Sequence, residues 1–354
     1  MNFYIKHFKG IVSEGGGVRN EAFYQYFRHR SDVTIFDLAA TNVFHRMAKT
    51  LRFVFYFGFR RNHHIYMNFA AIFVLFPTFL FRTAISGLIF KLLDRLSKRH
   101  VLHVEINDLP FEQSLDLELP NFSYYQSFQR NLFKLNKVKF DFASYSMRSY
   151  AIEKYHLEAE QTNVIINGAY QLKDFDGSKY DTLFGKKSEK LKYVYVGTLN
   201  KGRQIENLIQ VFRQSPHELI LLGPGGEWIT QMLEDYKIDH IRYLGVFSDF
   251  VALQISSLCD VGVIPYDESR FYYNICYPTK VSFYLAAGLP ILSTRLQETQ
   301  QALRGKEVAW FSPIDTWEEA IVNVKKEDIE ALRKNVLLFR PQFYWCSLLE
   351  GLNF

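Results

Sequence analysis

Short apolar runs recur along the chain between longer stretches of mixed character, and their spacing predicts alternating strands and helices. Residues 2–6 read as a strand, residues 10–18 as a loop holding Gly15, Gly16 and Gly17, and residues 21–28 as a helix. Strand, glycine loop and helix open an α/β unit. Further strands are predicted at 33–38, 64–68, 102–106 and 141–145, with helical segments between them, the order of a doubly wound sheet. A strand near 163–166 ends in the turn Asn167-Gly168, and the pattern then restarts with strands predicted at 192–196, 218–222, 241–244, 261–265, 290–293 and 308–311. After the first of these, Ile205, Leu208, Ile209 and Phe212 stand at the spacing of one buried helix face.

With 354 residues and 48% hydrophobic content the chain can fill two cores. The polar stretch 173–190 is the expected junction. The expected division is a first domain at 1–172, a linker at 173–190, a second domain at 191–338 and a closing segment at 339–354. The fold class is therefore α/β, with two Rossmann-like, doubly wound parallel sheets.

A net charge of +5 gives no argument for nucleic acid. Its distribution is uneven: between residues 41 and 100, ten Lys/Arg accompany the single acid Asp94 in a Phe-rich stretch, which suits an anionic membrane surface. The apolar run 65–81 is interrupted by Asn68 and Pro77 and is too short to span a bilayer, so it reads as a buried strand followed by a partly apolar helix. Arg82, Lys91, Arg95, Lys98 and Arg99 edge the next amphipathic segment, which could equally be a core helix or a membrane-docking one. Cys259, Cys276 and Cys346 form no CxxC pair, which fits a reducing compartment. The first residues lack the basic and apolar regions of a cleaved leader, so a cytoplasmic location is expected.

Ligands of open α/β sheets bind at the carboxyl ends of the strands. In the second half Tyr277-Pro278-Thr279-Lys280 precedes an apolar helix, with Thr279 as the expected N-cap and Gly288 just past the helix end. Such a start offers backbone N–H groups and a dipole to an anion, and Lys280 adds a full charge. An ordinary capped helix with a solvated lysine has the same sequence. The loop Gly197-Thr198-Leu199-Asn200-Lys201-Gly202-Arg203 supplies a second cation, and Arg203 can fork onto phosphate oxygens. Gly223-Pro224-Gly225-Gly226, and Gly16 and Gly17 in the first half, would let a ligand approach the backbone. Asp174-Phe175-Asp176 matches a metal-holding DxD pattern but falls in the polar stretch and reads as coincidence, and no His/Cys cluster has metal spacing, so no metal is expected.

Several segments together resemble the retaining family 4, or group 1, glycosyltransferases of the GT-B fold. They are Val164-Ile165-Ile166-Asn167-Gly168, Tyr195 through Thr198 with Arg203 through Ile209, Val261 through Tyr266, and Pro278-Thr279-Lys280 through Tyr284 to Pro290. The resemblance implies two domains around a cleft, a closing helix that returns to the first domain, and a nucleotide-sugar donor held without cofactor or metal. It implies donor contacts at Gly16, Gly17, Gly197, Thr198, Arg203, Gly223, Pro278, Thr279, Lys280 and Tyr284, with Arg203 and Lys280 stabilising the leaving diphosphate. Glu105-Ile106-Asn107-Asp108 is similar to the family's acceptor-side segment, where a His-Asp pair is common; Asn107 stands at the histidine's place. That makes Glu105 and Asp108 candidate catalytic carboxylates, either of which could instead be a structural hydrogen-bond acceptor, and places Arg19, Asn107 and Asp108 on the acceptor side. Ile275 and Phe283 stand where the family often carries glutamates, and Thr198 where it often carries arginine.

The resulting expectation is a hexosyltransferase acting on a glycan acceptor, lipid-linked at the inner membrane face, in capsule, O-antigen or other surface-polysaccharide assembly. The rival from another class is a catalytically silent, GT-B-shaped partner subunit, motivated by Asn107, Ile275 and Phe283. A nicotinamide-dependent oxidoreductase is disfavoured because the glycines around Gly15 do not spell GxGxxG.

Overall fold

The computed structural model describes residues 1–10, 15–40, 42–119, 122–184, 189–199, 203–352 and 354. The chain forms two compact units: Met1–Ile166 joined by Leu349–Phe354, and Asn167–Leu348.

The first unit runs β1 (Asn2–Lys6), α1 (Gly15–Arg28), β2 (Val33–Asp37), α2 (Val43–Phe59), β3 (His64–Asn68), α3 (Ala70–Leu75), α4 (Ile85–Arg99), β4 (Val101–Ile106), α5 (Pro110–Asp116), α6 (Phe122–Phe133), β5 (Val138–Phe142), α7 (Tyr145–Tyr155) and β6 (Thr162–Val164). Its strands form one parallel sheet in the order β2-β1-β3-β4-β5-β6. The second unit continues with α8 (Asp181–Phe184), β7 (Lys192–Val196), α9 (Ile205–Phe212), β8 (Glu218–Leu222), α10 (Glu227–Asp235), β9 (Ile241–Gly245), α11 (Asp249–Ser257) and β10 (Val261–Ile264). It closes with α12 (Phe271–Ile275), α13 (Thr279–Ala286), β11 (Ile291–Ser293), α14 (Gln297–Ala302), β12 (Ala309–Phe311), α15 (Trp317–Asn323) and α16 (Lys326–Phe339), and α17 (Trp345–Glu350) straddles its end at Leu348. Its parallel order is β12-β11-β10-β7-β8-β9.

These are the expected doubly wound sheets. Helices cover both faces of each sheet, so central strands such as β8 are buried throughout and read as continuous apolar runs. The α9 face predicted from periodicity is buried as Ile205, Leu208, Ile209 and Phe212, each burial worth about 1.5–3 kcal/mol. The strand order reverses between β1 and β3 in the first sheet and between β7 and β10 in the second. Those two reversals are where an open α/β sheet leaves a crevice for a ligand.

Three local expectations are corrected. The strand predicted at 141–145 is β5, Val138–Phe142, because Ser144 caps α7 by accepting from Met147 N at 3.0 Å and Tyr145 already belongs to that helix. Gly15, Gly16 and Gly17 form the first turn of α1 instead of a loop, and residues 11–14 lie outside the described residues. Thr279 is inside α13, and the N-cap is Pro278, whose extended backbone (φ −66°, ψ 124°) admits the helix without a side-chain cap.

Candidate functional site

β7 hands the chain to Gly197 at φ +140°, and β8 hands it to Gly223 at φ +134°, conformations that strain any side chain. The two turns touch: a side-chain carbon on Gly223 would overlap the Gly197 carbonyl. Gly197 N donates to Leu222 O at 2.9 Å and Leu199 N to Pro224 O at 2.8 Å, so the two loops make one backbone ledge at the strand ends.

Lys280 lies over this ledge. A side-chain carbon on Gly197 would stand 2.6 Å from Lys280 Nζ, which brings together two positions far apart in sequence. Lys280 is only 6% exposed. Its Nζ donates to the Tyr266 hydroxyl at 2.7 Å and sits 4.9 and 5.0 Å from the ring centroids of Tyr195 and Tyr266. Tyr266 follows β10, on the other side of the strand-order reversal from Gly197. Arg203, at the entrance to α9, is also a close electrostatic neighbour of Tyr266. Burial on its own would lower the Arg203 pKa, and the neighbouring Tyr266, Tyr195 and Tyr273 more than offset it, so the guanidinium ends above its usual range. Among the described residues neither Lys280 nor Arg203 has a carboxylate at salt-bridge distance.

The start of α13 completes the arrangement. Pro278 provides no side-chain acceptor, so the N–H groups of the first turn have only the positive end of the helix dipole to offer. The turn at Asn167 fastens this start in place: Asn167 Nδ2 donates to Tyr277 O at 3.2 Å, and Ser282 Oγ donates to Asn167 O at 2.5 Å. Two cations, a glycine ledge and an uncapped helix start converge, which is the donor set for a phosphate or diphosphate.

Of the residues singled out in the sequence, Gly197, Arg203, Gly223, Pro278, Thr279 and Lys280 meet here. Thr198 takes part through its carbonyl, which accepts from Tyr195 OH at 3.1 Å. Lys201 lies outside the described residues. Tyr284 does not face the ledge: it is fully buried, its hydroxyl accepts from Val196 N at 2.9 Å and donates to Val263 O at 3.2 Å, and its ring covers Gly262. It staples β7 to β10 beneath the site.

In the first unit, Glu105 and Arg19 are partners. They form an ion pair with both side chains buried, at 0% and 1% exposure, and Arg19 Nη1 also donates to Ile165 O at 2.8 Å. Neither side chain reaches a surface, the arrangement of a structural pair. Asn107 and Asp108 follow β4 and are half-buried. Asn68 Nδ2 donates to Asn107 Oδ1 at 2.9 Å, and Asn107 Nδ2 donates to Asp108 Oδ2 at 2.6 Å, a relay that joins the ends of β3 and β4. Gly16 and Gly17 contribute backbone in the first turn of α1. Asp174 is exposed, and Asp176 accepts from Ser178 N at 3.0 Å, the bond of a local turn.

The tyrosine cage was the part that sequence reading missed. Tyr266 ends the segment Val261 to Tyr266, just past a strand end, the same signal that singled out Gly197; its tilted ring contact with Tyr273, 5.0 Å between centroids, required the structure.

Two parallel-sheet units with a cationic site at the strand ends of the second define the GT-B fold class. Sucrose-phosphate synthase from Thermosynechococcus elongatus shares the fold at a TM-score of 0.70 and 14% identity, over 98% of this chain and 96% of that one. HepE of Anabaena, in complex with UDP and glucose, matches at 0.66 and 13% over 99% and 97%. WaaG, a glycosyltransferase involved in lipopolysaccharide biosynthesis, matches at 0.63 and 11% over 99% and 98%. No protein-family model and no curated protein sequence matches the chain.

Proposed function

We propose that the protein is a glycosyltransferase that moves a hexose from a nucleoside diphosphate to a glycan acceptor. The observation that carries this reading is Lys280: a buried ammonium held by the Tyr266 hydroxyl and by ring faces, beside Arg203 and an uncapped helix start. Such a charge recovers its desolvation cost only when an anion joins it. The UDP and UDP-glucose complexes of HepE support a diphosphate as that anion.

In the reaction the bond between the anomeric carbon and the donor phosphate oxygen breaks, and a bond to the acceptor hydroxyl oxygen forms. The acceptor proton passes to the departing nucleoside diphosphate, which leaves with its charge stabilised by Lys280 and Arg203. These cations do the work a metal would otherwise do. Retention of anomeric configuration follows from the family resemblance. The lipopolysaccharide role of WaaG and the basic, aromatic first unit support a lipid-linked acceptor in surface-polysaccharide assembly and peripheral attachment to the inner membrane face. Among the described residues no helix is long and apolar enough to cross a membrane.

Ile275 and Phe283, apolar where related transferases carry carboxylates, favour a second reading, a catalytically silent subunit. One experiment separates the two: binding and slow hydrolysis of UDP-, GDP-, ADP- and dTDP-sugars in EDTA, with Arg203→Ala and Lys280→Ala alongside. Turnover of one donor that both variants lose supports the transferase. No nucleotide binding at all leaves the silent subunit.

A further inference from the structure

α2 carries apolar side chains on both of its faces. Phe53 and Phe57 point inward and are buried, Phe57 packing 5.1 Å from Phe3 and 5.8 Å from His100 between ring centroids. On the opposite face Phe44, Met47, Leu51, Phe55 and Phe59 recur at the three- and four-residue spacing of a single stripe, roughly 22 Å long at 1.5 Å per residue. All five are exposed, Phe44 at 82% and Phe59 at 81%. Phe79, Ile85 and Leu88 add to the exposed apolar surface from the next crossover. The crossovers holding α2 and α4 step across the sheet in the same direction, which puts both helices on one face of it. Arg99 at the end of α4 donates to Gly58 O near the end of α2, tying the two together. A helix apolar on both faces belongs inside a core, and a patch of this extent is rare on a free protein surface.

We infer that the outer face of α2 is a docking surface for an anionic lipid bilayer. The charge around it selects that occupant. Arg52, Arg60, Arg61, Arg82, Lys91 and Arg95 are exposed on the same crossovers. The only acid among residues 42–100 is Asp94, already paired with Lys98 at 2.6 Å. An apolar stripe flanked by cations fits the boundary between headgroups and acyl chains, with the rings inserted and the cations on lipid phosphates. A second copy of this chain would bring the same cations against these and be repelled. The sequence left the segment edged by Arg82 to Arg99 open between a core and a membrane-docking helix; α2 carries most of the exposed apolar residues.

This deepens the membrane part of the preceding reading and is independent of the donor site. The test is co-sedimentation of the full chain with vesicles of phosphatidylglycerol and phosphatidylcholine, against phosphatidylcholine alone. The mixed vesicles bind, added salt weakens binding, and the triple variant Phe44→Ser, Phe55→Ser, Phe59→Ser loses it by at least about tenfold. The pair Arg52→Glu, Arg61→Glu keeps the stripe and also loses binding, so the test stands even where the triple variant fails to fold. No binding by the wild type, or equal binding by the Arg52→Glu, Arg61→Glu pair or by a folded triple variant, overturns the proposal. So does a concentration-dependent dimer dissolved by the serine substitutions, which would make a second copy the occupant. UDP binding measured on the same samples separates the two readings: vesicle binding without nucleotide binding removes the transferase reading alone.

Discussion

Each unit buries a cation near the carboxyl end of its sheet, and the two cations have opposite partners. Arg19 meets the carboxylate of Glu105, with both side chains buried. Among the described residues Lys280 meets only a phenol hydroxyl and two ring faces as side-chain partners. Removing an ammonium or guanidinium from water costs several kcal/mol, and a carboxylate in good geometry recovers much of it. A neutral hydroxyl and ring faces recover less, about 1.5–3 kcal/mol for the hydroxyl and about 2 kcal/mol for a desolvated ring face. The first cation is therefore spent on the fold. The second keeps an undiminished positive charge at the strand-order reversal, where a ligand can use it.

Stability measurements test that division most directly. Arg19→Met leaves Glu105 charged in the interior with no counter-charge, and the expected loss is about 3–5 kcal/mol in urea unfolding. A loss below about 1 kcal/mol would mean that the pair does not hold the first sheet together. Asp141, which lies directly opposite Glu105 in the strand register, sharpens the same point. Burial, with a smaller contribution from the Glu105 charge, pushes its pKa up from 3.8 to about 6. The folded state then binds the proton more tightly than the unfolded chain does. That stability is complete below pH 3.8 and is lost as pH rises through about 6. Asp141→Asn removes the loss, so the variant gains about 2–3 kcal/mol over the wild type at pH 8 and little at pH 4.

Lys280→Met is the counterpart in the second unit. An apolar chain of similar length suits the surrounding tyrosines, so stability stays within about 1 kcal/mol of the wild type or rises. UDP affinity falls about 100-fold, the scale of a lost charge-assisted contact to phosphate. A large loss of stability with UDP binding intact would make Lys280 a structural residue like Arg19 and erase the contrast.

The contrast also explains what the sequence disclosed. Strands of a parallel sheet are covered on both faces, so β7 and β8 stand out as apolar runs, and the residues just past them are marked by position alone. Gly197 and Gly223 stand out in that way, and Lys280 as the cation at the start of an apolar helix. The partner of Glu105 was not legible because it lies 86 residues away and no local pattern pairs a strand-end carboxylate with Arg19 on α1. Tyr284 and Tyr266 show the ambiguity of a phenol, which is apolar in its ring and polar at its tip. In sequence both read alike; the structure gives Tyr284 two backbone partners within the sheet and Tyr266 two cations at its end.

Tyr266→Phe probes the smallest difference between the two centres. The substitution keeps the ring, its tilted contact with Tyr273 and its face toward Lys280, and removes only the hydroxyl that holds Lys280 beside Arg203. Both cations remain, so the site keeps its charge and loses its geometry. A hydrogen bond to a charged group contributes about 1.5–3 kcal/mol, and the bound diphosphate itself replaces part of that hold. The expected cost is therefore about five- to tenfold, and it falls more on turnover than on UDP affinity, because the leaving charge needs both cations aligned. If Tyr266 only filled space, Phe would be equivalent in both measurements. If it carried binding as Lys280 does, the loss would reach about 100-fold and appear entirely in affinity.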